Sequence, residues 1–284
     1  QGRGGKGSNS AKLVEDDFIK QMFIASTHDY LTFITTVGKA YWLKAHEIPE
    51  NGRNARGTHI KSLLEVSPNE EIAAVVSFKE VAGSQYLFMA TAAGVVKKVA
   101  VSEFRNAKTR GIMAIKLDEG DRLVTSVLST GSGELVLITR HGQALRITET
   151  EVRPMGRASH GVAGIRLAAG DELTGALRVE DGSRILVVSE YGCGKRVGFD
   201  EFSVHGRGTG GQRIYNVTPR TGELVGAIAL ADSDEVVCIT SQGKTLRLPA
   251  ESIAKQGRAA SGVRVLEIEP PDMVIGVDKI VGEE

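Results

Sequence analysis

Residues 30–48 read YLTFITTVGKAYWLKAHEI. The same 19-residue pattern returns without a gap at 86–104 (YLFMATAAGVVKKVAVSEF), 134–152 (ELVLITRHGQALRITETEV), 184–202 (RILVVSEYGCGKRVGFDEF) and 235–253 (EVVCITSQGKTLRLPAESI). Each copy is a β-rich run, a short turn closed by Gly38, Gly94, Gly142, Gly192 or Gly243, and a second run that usually carries a cation. That is the grammar of a β-hairpin, with glycine supplying the positive φ of the turn.

Working outward, the rest of each unit recurs as well. A loop ends at Gly57, Gly111, Gly161, Gly211 or Gly262, spaced 54, 50, 50 and 51 residues apart. A strand follows, as at 113–117 (MAIKL) or 164–167 (GIRL). Then come an acidic turn such as 119–121 (EGD) and a last apolar strand such as 224–230. Four short strands in every fifty residues, with no helical period, predict an all-β fold of radially arranged blades. One hairpin cannot bury both faces alone, so the units must pack side by side around an axis. Residues 17–26 (DFIKQMFIAS) align with the last strand of a unit, and the opening heptad 1–7 (QGRGGKG) aligns with the loop before it. The expected organisation is therefore one domain over 1–284. Its parts are the back half of a truncated blade at 1–27 and complete repeats at about 28–80, 84–130, 133–180, 183–231 and 234–281.

Composition narrows the functional classes. The chain has 284 residues, 41% hydrophobic and 25% charged, which is ample for a large core. No apolar run approaches a membrane span, no charged-then-apolar leader opens the sequence, and the two cysteines, Cys193 and Cys238, lack metal-ligand spacing. No phosphate-binding G-x-x-x-x-G-K-[ST] motif is present; 192–195 (GCGK) lacks the first glycine and the following Ser or Thr. No nucleophile–base set, metal cluster or carboxylate pair is marked by spacing, so no catalytic residue, metal or cofactor is expected here.

The 35 basic and 35 acidic residues cancel, but they are unevenly placed. The loops hold Arg53 and Arg56; Arg105, Lys108 and Arg110; Arg153 and Arg157; Arg207; Lys255 and Arg258. The second hairpin strands add Lys39 and Lys44, Lys97 and Lys98, Arg146, Lys195 and Arg196, and Lys244 and Arg247. Equivalent positions in a radial fold lie at the same level of every blade, which predicts a basic belt around the rim. Such a belt suits a phosphate backbone, contacted by cations and backbone N–H groups without reading sequence, and its curvature favours bent duplex. The plainer reading is solvated strand edges, which Lys and Arg also protect from aggregation. The recurrence of some twenty cations favours phosphate binding.

With these residues in hand, a family likeness emerges. The heptad resembles the box of the bacterial DNA gyrase A protein: Gln, two basic residues, Gly-Gly, a basic residue and Gly. The repeats resemble the six-bladed β-pinwheel of the C-terminal domain of gyrase A. Further matching stretches are 25–29 (ASTHD), 90–98 (ATAAGVVKK) and 161–167 (GVAGIRL). The resemblance implies a domain that wraps double-stranded DNA with positive handedness around its rim, so that an A2B2 holoenzyme of gyrase A and gyrase B introduces negative supercoils. It implies that the cleavage tyrosine lies upstream and the ATP site on gyrase B, with ATP and Mg used on those other domains. It also implies a bacterial cytoplasmic, nucleoid-associated setting and no membrane partner. Carried over by position, Gln1, Arg3, Gly4, Gly5, Lys6 and Gly7 would contact DNA, and Gly2 departs from the pattern. One missing cation at an exposed phosphate contact costs about 1 kcal/mol or less. Two alternatives remain: the related C-terminal domain of the topoisomerase IV counterpart of gyrase A, which usually lacks a well-formed box, and a kelch-like protein-interaction propeller.

Overall fold

The computed structural model describes residues 25–51, 57–79 and 84–281. The expected half-blade at 1–27 lies almost wholly outside these residues, and five sheets are seen within them. The first unit supplies β1 (Tyr30–Thr35), β2 (Lys39–Lys44) and β3 (Ile72–Phe78). The second supplies β4 (Tyr86–Thr91), β5 (Val95–Ala100), β6 (Ile112–Met113) and β7 (Leu123–Ser129). The third supplies β8 (Glu134–Thr139), β9 (Gln143–Thr148), β10 (Val162–Ala163) and β11 (Leu173–Arg178). The fourth has β12 (Ser183–Ser189), β13 (Cys193–Gly198), β14 (Gln212–Arg213) and β15 (Leu224–Ala231). The fifth has β16 (Glu235–Thr240), β17 (Thr245–Pro249), β18 (Val263–Arg264) and β19 (Val274–Ile280).

The hairpins form as their sequences direct. Gly38, Gly94, Gly142, Gly192 and Gly243 sit at φ between +79° and +88°. Each turn is locked by the last hydroxyl of the first strand (Thr35, Thr91, Thr139, Ser189 or Thr240), which accepts the N–H just after the glycine at 3.1–3.3 Å.

A blade, however, is not a repeat: the short third strand of each unit pairs with the preceding unit's hairpin. The sheet orders are β3-β1-β2-β6, β10-β5-β4-β7, β11-β8-β9-β14 and β15-β12-β13-β18, while the fifth sheet is three-stranded, β17-β16-β19. The turn glycine is the seat of this exchange. The Gly38 carbonyl accepts the N–H groups of Ala114 and Ile115; Gly94 accepts those of Gly164 and Ile165, Gly142 those of Ile214 and Tyr215, and Gly192 those of Val265 and Leu266. A Cβ on Gly142 would stand 2.3 Å from the Tyr215 carbonyl oxygen, so the close approach itself requires glycine.

The core lies between the sheets. Leu87 and Met89 of β4 pack toward the first blade with Trp42, Val76 and Phe78, while Phe88 and Ala90 pack toward the third with Leu135, Leu137 and Leu145. Both faces of a blade are buried, which explains hairpin strands that are apolar throughout rather than alternating. The strands β3, β7, β11, β15 and β19 pack against one another in that order and line a central cavity of ≈ 1040 Å³. The two-residue strands β6, β10, β14 and β18 are outermost.

Candidate nucleic-acid interface

The basic loops run along the outer edge. The loop of each unit crosses the second hairpin strand of the blade before it, in parallel bridges pairing Lys98 with Pro154, Arg146 with Val204 and Arg196 with Lys255. Backbone bonds hold it there: Met155 N–H to Lys98 O at 2.8 Å, His205 N–H to Arg146 O at 2.9 Å, Gln256 N–H to Arg196 O at 3.0 Å. Equivalent loops thus recur on the rims of successive blades, because the exchange of the short strand carries each loop outward with it.

On this edge Arg105, Lys108, Arg110, Arg153 and Lys255 are exposed. Arg157, Arg207 and Arg258 are half-buried and equivalent to one another. Arg157 donates to the Met113 carbonyl at 3.2 Å and Arg207 to the Ala163 carbonyl at 2.8 Å, so one guanidinium edge steadies the loop. Lys39 and Lys44 of the first blade are exposed, with Lys44 above the Tyr30 ring at 5.7 Å; Lys244 is half-buried. Gln1, Arg3, Gly4, Gly5, Lys6, Gly7, Arg53 and Arg56 lie outside the described residues.

Of the remaining hairpin cations, Lys97, Lys98, Lys195 and Arg196 are buried, Arg146 is half-buried and Arg247 is exposed, so a belt of free cations built from both sets does not form. Lys97 and Lys195 are 0% exposed. Lys98 is buried, 3.7 Å from Glu149 and above the Tyr86 ring. Arg196 is buried and donates to the Ile253 carbonyl at 2.8 Å and to Asp232 at 2.6 Å. Arg146 pairs with Glu134 and donates to the Phe199 carbonyl at 2.8 Å. Arg247 is exposed but paired with Glu235. The reason is the burial of both sheet faces: a side chain on the second strand meets a neighbouring blade, and a cation survives there only when its donors are satisfied. Lys98, Arg146 and Arg196 each reach the short 3-10 helix of the next unit and tie adjacent blades.

The rim also carries exposed cations that the sequence reading passed over: Lys116, Arg166, Arg213 and Arg264. All four follow the loop glycine within five residues, at recurring offsets, and that offset was the available signal.

Acidic groups lie by the hairpin turns and also in the short 3-10 helices beside the basic loops, where Glu47, Glu103, Glu151, Asp200, Glu201 and Glu251 are exposed. Asp121 accepts the N–H of Ala93, Asp171 that of His141 and Asp272 that of Gln242, each at 3.0 Å, so the acidic turn caps its own hairpin. Arg122 grips Glu172 with two nitrogens, at 2.6 and 3.3 Å, and holds that carboxyl below the usual carboxylate range. Arg140 donates through Nε to Glu223 at 2.8 Å, which lowers that carboxyl too, and through a second nitrogen to Glu190 at 3.3 Å. Among the described residues no group of three or more His, Cys, Asp or Glu could hold a metal ion, and no helix is long and apolar enough to cross a membrane.

Fold and site together define a class: a propeller-type ring whose blades exchange strands and whose outer edge carries the cations. The family model for "DNA gyrase C-terminal domain, beta-propeller" matches residues 1–26, 29–79, 85–128, 133–180, 183–231 and 234–280, and the chain belongs to that family. It is 56% identical over 281 residues to the DNA gyrase A protein of Treponema pallidum, covering 99% of this chain and 35% of that protein. It is 40% identical over 286 residues to the DNA gyrase A protein of Mycolicibacterium smegmatis, covering 100% of this chain and 34% of that one. The chain thus spans about a third of the length of the curated relatives it matches. A solved DNA gyrase A C-terminal domain superposes with a TM-score of 0.90 at 30% identity, covering 99% of this chain and 92% of that one. A topoisomerase IV C-terminal domain gives 0.79 at 26%, covering 89% and 80%.

Proposed function

We propose that this chain binds duplex DNA along its outer edge without reading sequence, bends it across successive blades, and so presents a wrapped segment to a gyrase holoenzyme. The observation that carries this reading is the recurrence of basic loops at one level of consecutive rims, anchored there by strand exchange. Arg, Lys and backbone N–H groups on a convex edge are the equipment of backbone binding with deformation. The holoenzyme role, with gyrase A and B partners, ATP and Mg on other domains and a bacterial cytoplasmic setting, rests on the family.

If ~10 phosphates are engaged, the affinity falls with salt at a log–log slope of about −9. Replacing Arg105, Lys108 and Arg110 with Gln removes three exposed cations from one rim. Fluorescence anisotropy across a salt series should show the slope reduced in magnitude by roughly 2–3, equally for unrelated duplex sequences. An unchanged slope would point instead to a protein-interaction scaffold, whose partner meets a face of the ring.

A further inference from the structure

We propose that Lys97 and Lys195 are positioning residues for the DNA-facing edge: each is a buried ammonium that fixes the backbone of the next unit's basic loop. The inference rests on the DNA-binding reading above and adds how the loops are held in register.

Lys97 Nζ donates to the carbonyls of Arg157 at 2.7 Å, Ser159 at 2.8 Å and Ala114 at 3.0 Å. Lys195 Nζ donates to those of Gly257 at 2.7 Å, Arg258 at 2.9 Å and Ala260 at 2.8 Å. An ammonium has three N–H donors, and here all three are spent on carbonyls, five of the six in the loops at 157–159 and 257–260. Those carbonyls belong to, or neighbour, the two loop arginines. Among the described residues no carboxylate is ion-paired with either lysine, so the carbonyl dipoles are their direct hydrogen-bond partners, with Glu103 and Glu201 acting from farther away. This is a costly arrangement to retain for packing. The fold itself shows that packing does not need it: the equivalent hairpin position holds Leu145 in the third unit and Leu246 in the fifth, both fully buried. What distinguishes the lysines is the set of loop carbonyls that each gathers on one ammonium.

Burial lowers both ammonium groups from their ordinary value to about 8. The charged groups facing Lys97 are Glu103 and Arg157, and Lys195 faces Glu201 and the Tyr215 ring at 5.4 Å. A neutral amine has only two N–H donors, so one carbonyl is released when the proton leaves.

The test uses Lys97→Leu, Lys195→Leu and the double variant, which remove no surface charge and copy a side chain the fold already accepts. With the wild-type chain binding duplex DNA, the double variant should bind about 10-fold more weakly, with a salt slope smaller by about 1–2. Amide exchange at Ser159 and Ala260, whose N–H groups close the loop turns, should quicken while the hairpins stay protected. Wild-type affinity should fall between pH 7 and pH 9, a window in which arginines and exposed lysines keep their charge, and the double variant should be flat there. Unchanged affinity and a shared pH profile in the folded variants would overturn the inference while leaving DNA binding intact. A wild-type chain that binds no DNA would instead remove the reading beneath it.

Discussion

At the scale of a residue, the turn glycines carry two separate burdens, and the structure separates them. Gly182 lies at φ +74° with open space where a Cβ would go, whereas Gly142 lies at φ +88° with the Tyr215 carbonyl in that space. Alanine in the left-handed region costs about 1–2 kcal/mol. At Gly142 the added Cβ must also dislodge the swapped segment and its bonds from Ile214 and Tyr215, adding at least about 1–2 kcal/mol. Gly142→Ala should therefore lower stability in urea unfolding by clearly more than Gly182→Ala; equal losses would mean that the turn, not the seat, sets the requirement. The hairpin glycines were legible because φ is a local property. The seat was not, since its partner lies in the next unit, far away in sequence.

Among elements, the second hairpin strand shows where sequence reading meets its limit. The pair Lys97-Lys98 looks like a solvated cationic edge, yet both side chains are inside. In a sheet with one wet face, alternation would have assigned one of them to solvent. A blade buried on both faces erases that signal, and only the presence of acceptors decides. For Lys98 the acceptor is buried Glu149, which also receives the Gly131 N–H at 2.9 Å. Lys98→Met leaves that carboxylate without its cation and should cost about 3–5 kcal/mol, seen as a lowered urea midpoint with an unchanged m-value. A loss below about 1 kcal/mol would show Glu149 to be satisfied by its backbone bonds alone. Strand exchange was equally illegible, because two-residue strands such as β10 carry no periodicity from which to infer a partner. By contrast, the hairpins, the acidic turns and the loop positions were all readable from recurrence, since equivalent residues do equivalent work.

For the whole molecule, the recurrence of exposed cations from blade to blade is the property that matters. Acids near the turns are absorbed in capping and in the Arg122–Glu172 and Arg140–Glu223 pairs, while the outer edge exposes Arg105, Arg153, Arg166, Arg213, Lys255 and Arg264 among the acids of the 3-10 helices, with Lys255 3.7 Å from Asp232. On the proposed reading a duplex following that edge would meet a basic loop on each of the first four blades, and the stiffness of DNA makes such a path costly unless phosphates are engaged throughout. The most direct test is topological. Nicked plasmid is sealed by ligase with increasing amounts of the chain bound, and the protein is then removed. Wrapping around the rim with positive handedness predicts a linking-number distribution displaced to positive values in proportion to bound protein, and abolished at high salt. A distribution that stays at its protein-free centre while the plasmid is saturated would contradict wrapping.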